Sequence, residues 1–238
     1  DPDFAEAWAG LGDAYRHQVP YGGLPAFEMF PKAEEAINRA LELNPDLAEA
    51  HAALGGLTRQ RGGDTAKAKY HLERAIELNP SYSPAYNWLG LVYNGLTQYD
   101  KSIETFLKGQ QVDPLSAVLA GNLAFAAGFA GRHDEMKERL ERLVETHPES
   151  PFPYGGLSAY LVWVEGRFDE ALRASLQAVL ADPNDTEQRV YAAHQLRSLG
   201  DVEAGNRWME SSFALQPDNF EAHVFSTLWQ IEDGRVDE

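Results

Sequence analysis

"ALELNPDLAEAHAALG", residues 40–55, returns 35 positions later as "AIELNPSYSPAYNWLG", residues 75–90, with half of the sixteen positions identical. The shared letters are Ala, Glu, Leu, Asn-Pro, Ala and Leu-Gly, which is a structural grammar and not a catalytic motif. Its punctuation runs the length of the chain. Prolines recur at Pro45, Pro80, Pro114, Pro148, Pro183 and Pro217, with spacings of 35, 34, 34, 35 and 34. Each follows a helix-like stretch and precedes another, where proline stops one helix and lets the next begin. Between them stand Gly62-Gly63, Gly95, Gly131, Gly166, Gly200 and Gly234, placed to end a first helix before a tight turn. Each unit therefore reads helix A, glycine turn, helix B, proline turn. Two helices per unit at a fixed period predict a solenoid, in which a unit buries its apolar face only against its neighbours.

Composition agrees and excludes several classes. The chain has 238 residues, 44% of them hydrophobic, enough to bury a substantial core. Ala is abundant while Val and Ile are scarce, which favours helix over strand. No apolar run approaches the length of a membrane span, and no basic-then-apolar leader opens the sequence. With no cysteine there are no disulfides or thiolate metal sites, and that absence does not choose a compartment. A formal charge of −17 argues against nucleic acid as a partner. A partner should be neutral or basic, or should meet a local patch that differs from the average.

With Ala5 as position 1, "AEAWAGLGDAY" puts Trp8 at 4, Leu11 and Gly12 at 7 and 8, and Tyr15 at 11. From Ser83 the same places hold Tyr86, Leu89, Gly90 and Tyr93, and later Ser102, Phe106, Gly109 and Pro114 fall at 20, 24, 27 and 32. This register resembles the tetratricopeptide repeat (TPR) over essentially the full chain. The resemblance implies an all-α, right-handed superhelical solenoid of antiparallel helix pairs, a single array of about six repeats plus one extra helix. The repeats span roughly 5–47, 48–82, 83–116, 117–150, 151–185 and 186–219, with an unpaired helix over 220–238. The fourth is weaker, with Ala120, Ala124 and Ala127 where Trp, Gly and Tyr are expected, and the fifth is ambiguous by one residue around "PFPYGG". "DP" at 1–2 reads as the closing turn of an earlier unit and "GRVDE" at 234–238 as the turn before a missing helix. On that reading the sequence is expected to be a piece of a longer protein, and uncapped ends would offer a route to self-association.

The first repeat exceeds the period by about nine residues, in "RHQVPYGGLPAFEMFPK". Pro20, Gly22, Gly23, Pro25 and Pro31 speak against a continuous helix, while Phe27, Met29 and Phe30 are too apolar for a solvated loop. Either the segment pins these side chains against the first repeat, or it forms a lid over the groove. Together with "ALELNPDLAEAHAALG" and "QVDPLSA", it is similar to a bacterial subgroup. There the array follows a winged-helix, nucleotide-cyclase or protein-kinase domain, implying a multidomain signalling or regulatory protein.

No chemistry of catalysis or metal binding emerges. None of His17, His51, His71, His133, His147, His194 and His223 stands three or four residues from another, and His51 and His223 occupy position 4, a packing position. Asp169 and Glu170 sit at a helix start, where the dipole favours them. "NDT" at 184–186 fits a glycosylation sequon but lies in a helix-start turn. No cofactor is expected, and no enzyme.

Binding is what the architecture supports. Positions 4, 7, 8 and 11 of helix A face the core, leaving 2, 5, 9, 12 and 13 as a separate stripe. In TPR arrays that stripe lines the concave surface. It contains Glu6, Ala9, Asp13, Arg16 and His17; then Glu49, Ala52, Gly56, Arg59 and Gln60. The third and fourth repeats add Asn87, Leu91, Asn94, Gly95, Val118, Gly121, Phe125, Gly128 and Phe129. Phe152, Gly155 and Trp163 follow, then Glu187, Val190, His194, Arg197 and Ser198. The position-2 acids and the late arginines also suit the helix dipole without any ligand. Leu91, Phe125, Phe129 and Trp163 are apolar on an otherwise solvated face, and either pack between repeats or form a recognition pocket. A protein- or peptide-binding scaffold is the expected function, with Asn87 and Asn94 gripping a peptide backbone and Arg59 and Arg197 orienting acidic groups. A small-molecule sensor and a structural or self-assembly spacer are the alternatives. The carboxylate clamp by which some TPR proteins hold chaperone tails has no counterpart here. Asn122 fits one of its positions, but Asn87 and Leu91 stand where Lys and Asn are required.

Overall fold

The computed structural model describes residues 3–19 and 24–234. Pro2, Pro20, Gly22, Gly23 and residues 235–238 lie outside them. Among the described residues there are thirteen α-helices, one π-turn and no strand. The chain divides into two compact units. Unit 1, residues 1–130, holds α1 (Ala5–His17), α2 (Ala26–Leu43), α3 (Ala48–Gln60), α4 (Thr65–Leu78), α5 (Ser83–Gly95), α6 (Tyr99–Val112) and α7 (Ala117–Phe129). Unit 2, residues 131–238, holds α8 (His133–Thr146), α9 (Pro151–Tyr160), the π-turn Leu161–Glu165, α10 (Phe168–Ala181), α11 (Thr186–Ser198), α12 (Val202–Leu215) and α13 (Phe220–Glu232).

The Asn-Pro pairs close each unit by a local mechanism. Asn44 N–H makes the last bond of α2, to Ala40 O at 2.8 Å, and the backbone then opens to φ −140° ahead of Pro45. The Asn44 side-chain oxygen accepts from Asp46 N–H at 3.1 Å, and its backbone carbonyl accepts from Leu47 N–H at 3.2 Å. Asn79 does the same with Ser81 and Tyr82, and Asp182 with Asn184 and Asp185. An Asx side chain thus supplies the acceptor for the N–H of the turn residue two places on.

A second bond ties the turn to the next helix. The position-4 side chain donates to the carbonyl of the preceding turn proline: Tyr86 to Pro80 at 3.0 Å, Tyr154 to Pro148 at 3.3 Å, Arg189 to Pro183 at 2.6 Å. His51 reaches Pro45 at 3.0 Å and His223 reaches Pro217 at 2.9 Å, both through Nε2. At these five places position 4 carries a long side chain with a donor at its tip. A carbonyl only accepts, so Nε2 of His51 carries a hydrogen, and its Nδ1 faces Nδ1 of His71 at 3.0 Å. With both rings neutral, His71 must donate there.

In the first three helix pairs, the helices approach too closely for a side chain at position 8. A Cβ on Gly12, Gly55 or Gly90 would stand 2.5 Å from a side-chain carbon of Ile37, Leu72 or Phe106 respectively. Position 5, expected on the open stripe, is buried at five places. Ala9, Ala52, Gly121, Gly155 and Val190 pack where neighbouring first helices meet, and small residues let those helices close together.

The turn after helix A is left-handed at Gly62, Gly131, Gly166, Gly200 and Gly234. In the third repeat the expected Gly95 instead ends α5, and Thr97 takes the left-handed conformation at φ 57°. The two 35-residue spacings have separate origins. One extra residue is Gly63, between the left-handed Gly62 and α4; the other is absorbed in the π-turn, which accounts for the ambiguous register after "PFPYGG".

Pro25 and Pro31 do not prevent a helix. Pro25 is the N-cap of α2 and Pro31 lies inside it, where its missing N–H forgoes one intrahelical bond. The longer first repeat therefore lengthens α2 at its front. Met29 is buried and Phe30 packs against Ala33, Ile37 and Leu57, whereas Phe27 is 79% exposed. At the other end, α13 leaves Phe220, Val224, Leu228 and Ile231 exposed.

Two outcomes follow from these contacts. A β-branched residue at positive φ is strained, so Thr97→Gly should stabilise the protein by about 1 kcal/mol, net of the entropy glycine adds to the unfolded chain, in urea unfolding. Burial, then the neighbouring His51 and Lys67, lowers the His71 pKa from 6.5 to about 4. The unfolded chain takes up that proton near 6.5 while the folded one resists it until about 4. Stability should thus be full above pH 6.5 and fall as pH drops from 6.5 to 4. His71→Gln should remove about 1–2 kcal/mol of that loss, a figure discounted because the ring is partly solvated.

Candidate binding groove

In unit 1 the first helices α1, α3, α5 and α7 stand side by side. Their outer stripe gathers around one indole. Trp88 on α5 lies over α3, where Gly56 leaves room: a Cβ on Gly56 would stand 3.2 Å from the Arg16 guanidinium carbon and 3.3 Å from the Trp88 ring. Arg16 reaches in from α1, its guanidinium 4.3 Å from the indole centroid, and Arg59 of α3 sits at 5.8 Å. The guanidinium–indole geometry is favourable because the ring face is electron-rich.

The two arginines differ in their partners. Arg16 is 2% exposed and bound to Asp13 through Nε at 2.8 Å and a terminal nitrogen at 2.6 Å. Asp13 also meets His17 at 3.3 Å, and burial and the Arg16 charge push the His17 pKa down. Burial, with Asp13 and Glu49 nearby, pushes the Tyr82 hydroxyl up. Arg59 is exposed at the surface and, among the described residues, has no carboxylate partner; partial burial pushes its pKa down. It borders a cavity of about 450 Å³ with Gln60, Thr65, Leu91, Val92 and Gly95.

The remaining stripe residues of unit 1 have mixed roles. Asn87 Oδ1 accepts from Asn122 Nδ2 at 2.7 Å, so these amides bridge α5 to α7. Leu91 and Phe125 are half-buried. Asn94 Oδ1 is buried and, among the described residues, meets no hydrogen-bond donor. Phe129 is 59% exposed and stacks on Tyr99 with ring centroids 5.9 Å apart.

In unit 2, Arg197 of α11 meets Asp233 at 3.0 Å and Asn206 at 3.0 Å, with its guanidinium 4.5 Å from the Trp229 centroid. Its charge is spent inside the fold. His194 packs on Phe225, and burial lowers its pKa. Trp163 rides on the π-turn, 81% exposed. The turn itself is held by Glu165, which Lys137 and Arg167 both bind, drawing its pKa down to about 2.

Trp88 is the groove residue that the periodicity misses. It stands at position 6, off the expected stripe, and enters the groove only because Gly56 is empty beneath it.

Two family models described as tetratricopeptide repeats match residues 71–104 and 121–150. The chain is a tetratricopeptide repeat protein. No curated protein matches its sequence. Among solved structures, PilW, a type IV pilus biogenesis factor, superposes with a TM-score of 0.72 at 15% identity, over 93% of this chain and 97% of that one. TTC0263, a thermophilic TPR protein of Thermus thermophilus, gives 0.68 at 21% identity, over 81% and 98%. YrrB, a TPR protein with an unusual peptide-binding site, gives 0.51 at 21% identity, over 81% and 98%. At these identities the likeness is one of fold alone. Among the described residues of this TPR protein, no group of three or more His, Asp or Glu side chains is placed to hold a metal ion. No helix there is long and apolar enough to cross a membrane.

The exposure of the two outer aromatics fixes what their removal should do. Phe129→Ala and Trp163→Ala should each cost less than about 1 kcal/mol in urea unfolding, well below the value for a packed core aromatic.

Proposed function

We propose that this TPR protein is a non-catalytic scaffold that binds an extended peptide or protein segment across α1, α3, α5 and α7 of unit 1. The observation that carries this reading is the half-buried Trp88, framed by Arg16 and Arg59 over the glycine gap at Gly56, beside an open cavity. An aromatic side chain with the exposed Arg59 guanidinium beside it offers both apolar area and orientation, the combination that anchors peptides. Leu91, Phe125 and Phe129 extend the apolar surface toward α7 and are the proposed contacts for a ligand's apolar side chains. The fold is that of protein-interaction scaffolds in general, and the likeness to YrrB is in keeping with a peptide ligand.

Chemical-shift mapping checks the reading. A peptide selected from a random octapeptide library should shift amides on at least α1, α3 and α5 together. Shifts confined to one repeat would favour a small-molecule pocket instead, and shifts confined to α4 and α6 would place the site on the opposite face and sink the proposal.

A further inference from the structure

Three arginines occupy position 12 of a first helix, Arg16, Arg59 and Arg197, and each lies against a tryptophan. Two of them are neutralised within the fold. Arg16 is held by Asp13 at 2.6 Å and Arg197 by Asp233 at 3.0 Å. Arg59 has the same position and the same kind of aromatic neighbour but, among the described residues, no acid. Asp64, a near acid in sequence, uses its carboxylate to cap α4, accepting from Ala66 and Lys67 N–H at 2.9 and 3.0 Å. In a chain of net charge −17, leaving this guanidinium unpaired stands out.

Resting on the peptide-binding reading above, we infer that Arg59 is a specificity residue whose guanidinium takes a carboxylate of the bound peptide. The pairs made by Arg16 and Arg197 show what the position does when an acid is within reach: the guanidinium lies on an indole and binds a carboxylate edge-on. At Arg59 that second partner has to come from outside. The adjoining cavity combines Leu91 and Val92 with Thr65 and Gln60, so the acidic group would be flanked by an apolar neighbour in the peptide. The overall negative charge of the protein slows the approach of acidic peptides, so the site selects by short-range pairing and not by steering. The carboxylate can be a side chain or a chain terminus; both present the same chemistry.

The test uses the whole chain and random octapeptide libraries in two forms, one with free C-terminal carboxylates and one amidated. Wild type should enrich Asp or Glu in the amidated library if a side chain is read, or should enrich only free-acid peptides if the terminus is read. Arg59→Met, which keeps the apolar stem on an exposed position, should weaken the selected peptides roughly ten- to hundredfold while apolar preferences persist. Arg59→Glu should turn the preference toward Lys and Arg, a gain that misfolding cannot imitate. Peptides enriched without any acidic preference, or acid enrichment retained by both variants, overturn the inference and leave the peptide-binding reading standing. No enrichment over blank beads in either library removes both.

Discussion

The distance between the two helices of a pair governs this fold. At Gly12, Gly55 and Gly90 there is no room for even a methyl group, because Ile37, Leu72 and Phe106 fill the space from the second helix. That proximity lets Ser102 hydroxyl bond the Gly90 carbonyl at 2.8 Å across the pair. It also buries Phe106 completely, with Ile103, Leu119 and Leu123 around it. The α9–α10 pair solves the same problem with polar atoms. Ser158 takes position 8, its hydroxyl 2.8 Å from that of Ser175, and Gln195 of the next pair donates to Ser158 at 2.7 Å. A satisfied hydrogen bond there replaces apolar contact, at the risk that any lost partner leaves a buried polar group unpaired.

The groove shows how one residue type acquires different meanings from its neighbours. Arg16 is a structural ion, sealed between Asp13 and Trp88; Arg59, one repeat later on the same indole, remains chemically open. The difference lies in a single position, since Asp13 precedes Arg16 by three residues whereas Gly56 precedes Arg59. The same glycine that admits the tryptophan also removes the acid. Selectivity and shape at this site therefore come from one substitution in the repeat pattern.

Much of the architecture was legible because its causes are local. Asx-Pro turns, left-handed glycines and position-8 small residues each act within a few residues of themselves, so the period exposes them. Three features were not legible. Thr97 takes a left-handed turn that Gly95 seemed to own, because helix length and not residue preference decides where the turn falls. Pro31 sits inside α2 although its missing N–H forgoes one intrahelical bond, because the apolar face of that helix still packs on the first repeat. Trp88 joins the groove through a coincidence of three residues from three repeats, Arg16, Gly56 and Trp88, which no single-repeat pattern encodes. Position 5 was misjudged for a related reason: whether a stripe is open depends on how closely the next helix stands.

The π-turn at Leu161–Glu165 has a consequence for how such a chain tolerates error. An inserted residue in an α-helix rotates everything beyond it by about 100°. In a periodic stack that is a fault liable to propagate, since each layer takes its phase from the one before. Here the surplus residue bulges locally, Gly166 resets the direction, and α10 and α11 pair as though nothing had been added. The Lys137–Glu165–Arg167 bridge acts as the pin of that dislocation. A repeat array that can confine a defect to five residues can drift in sequence length without losing its lattice.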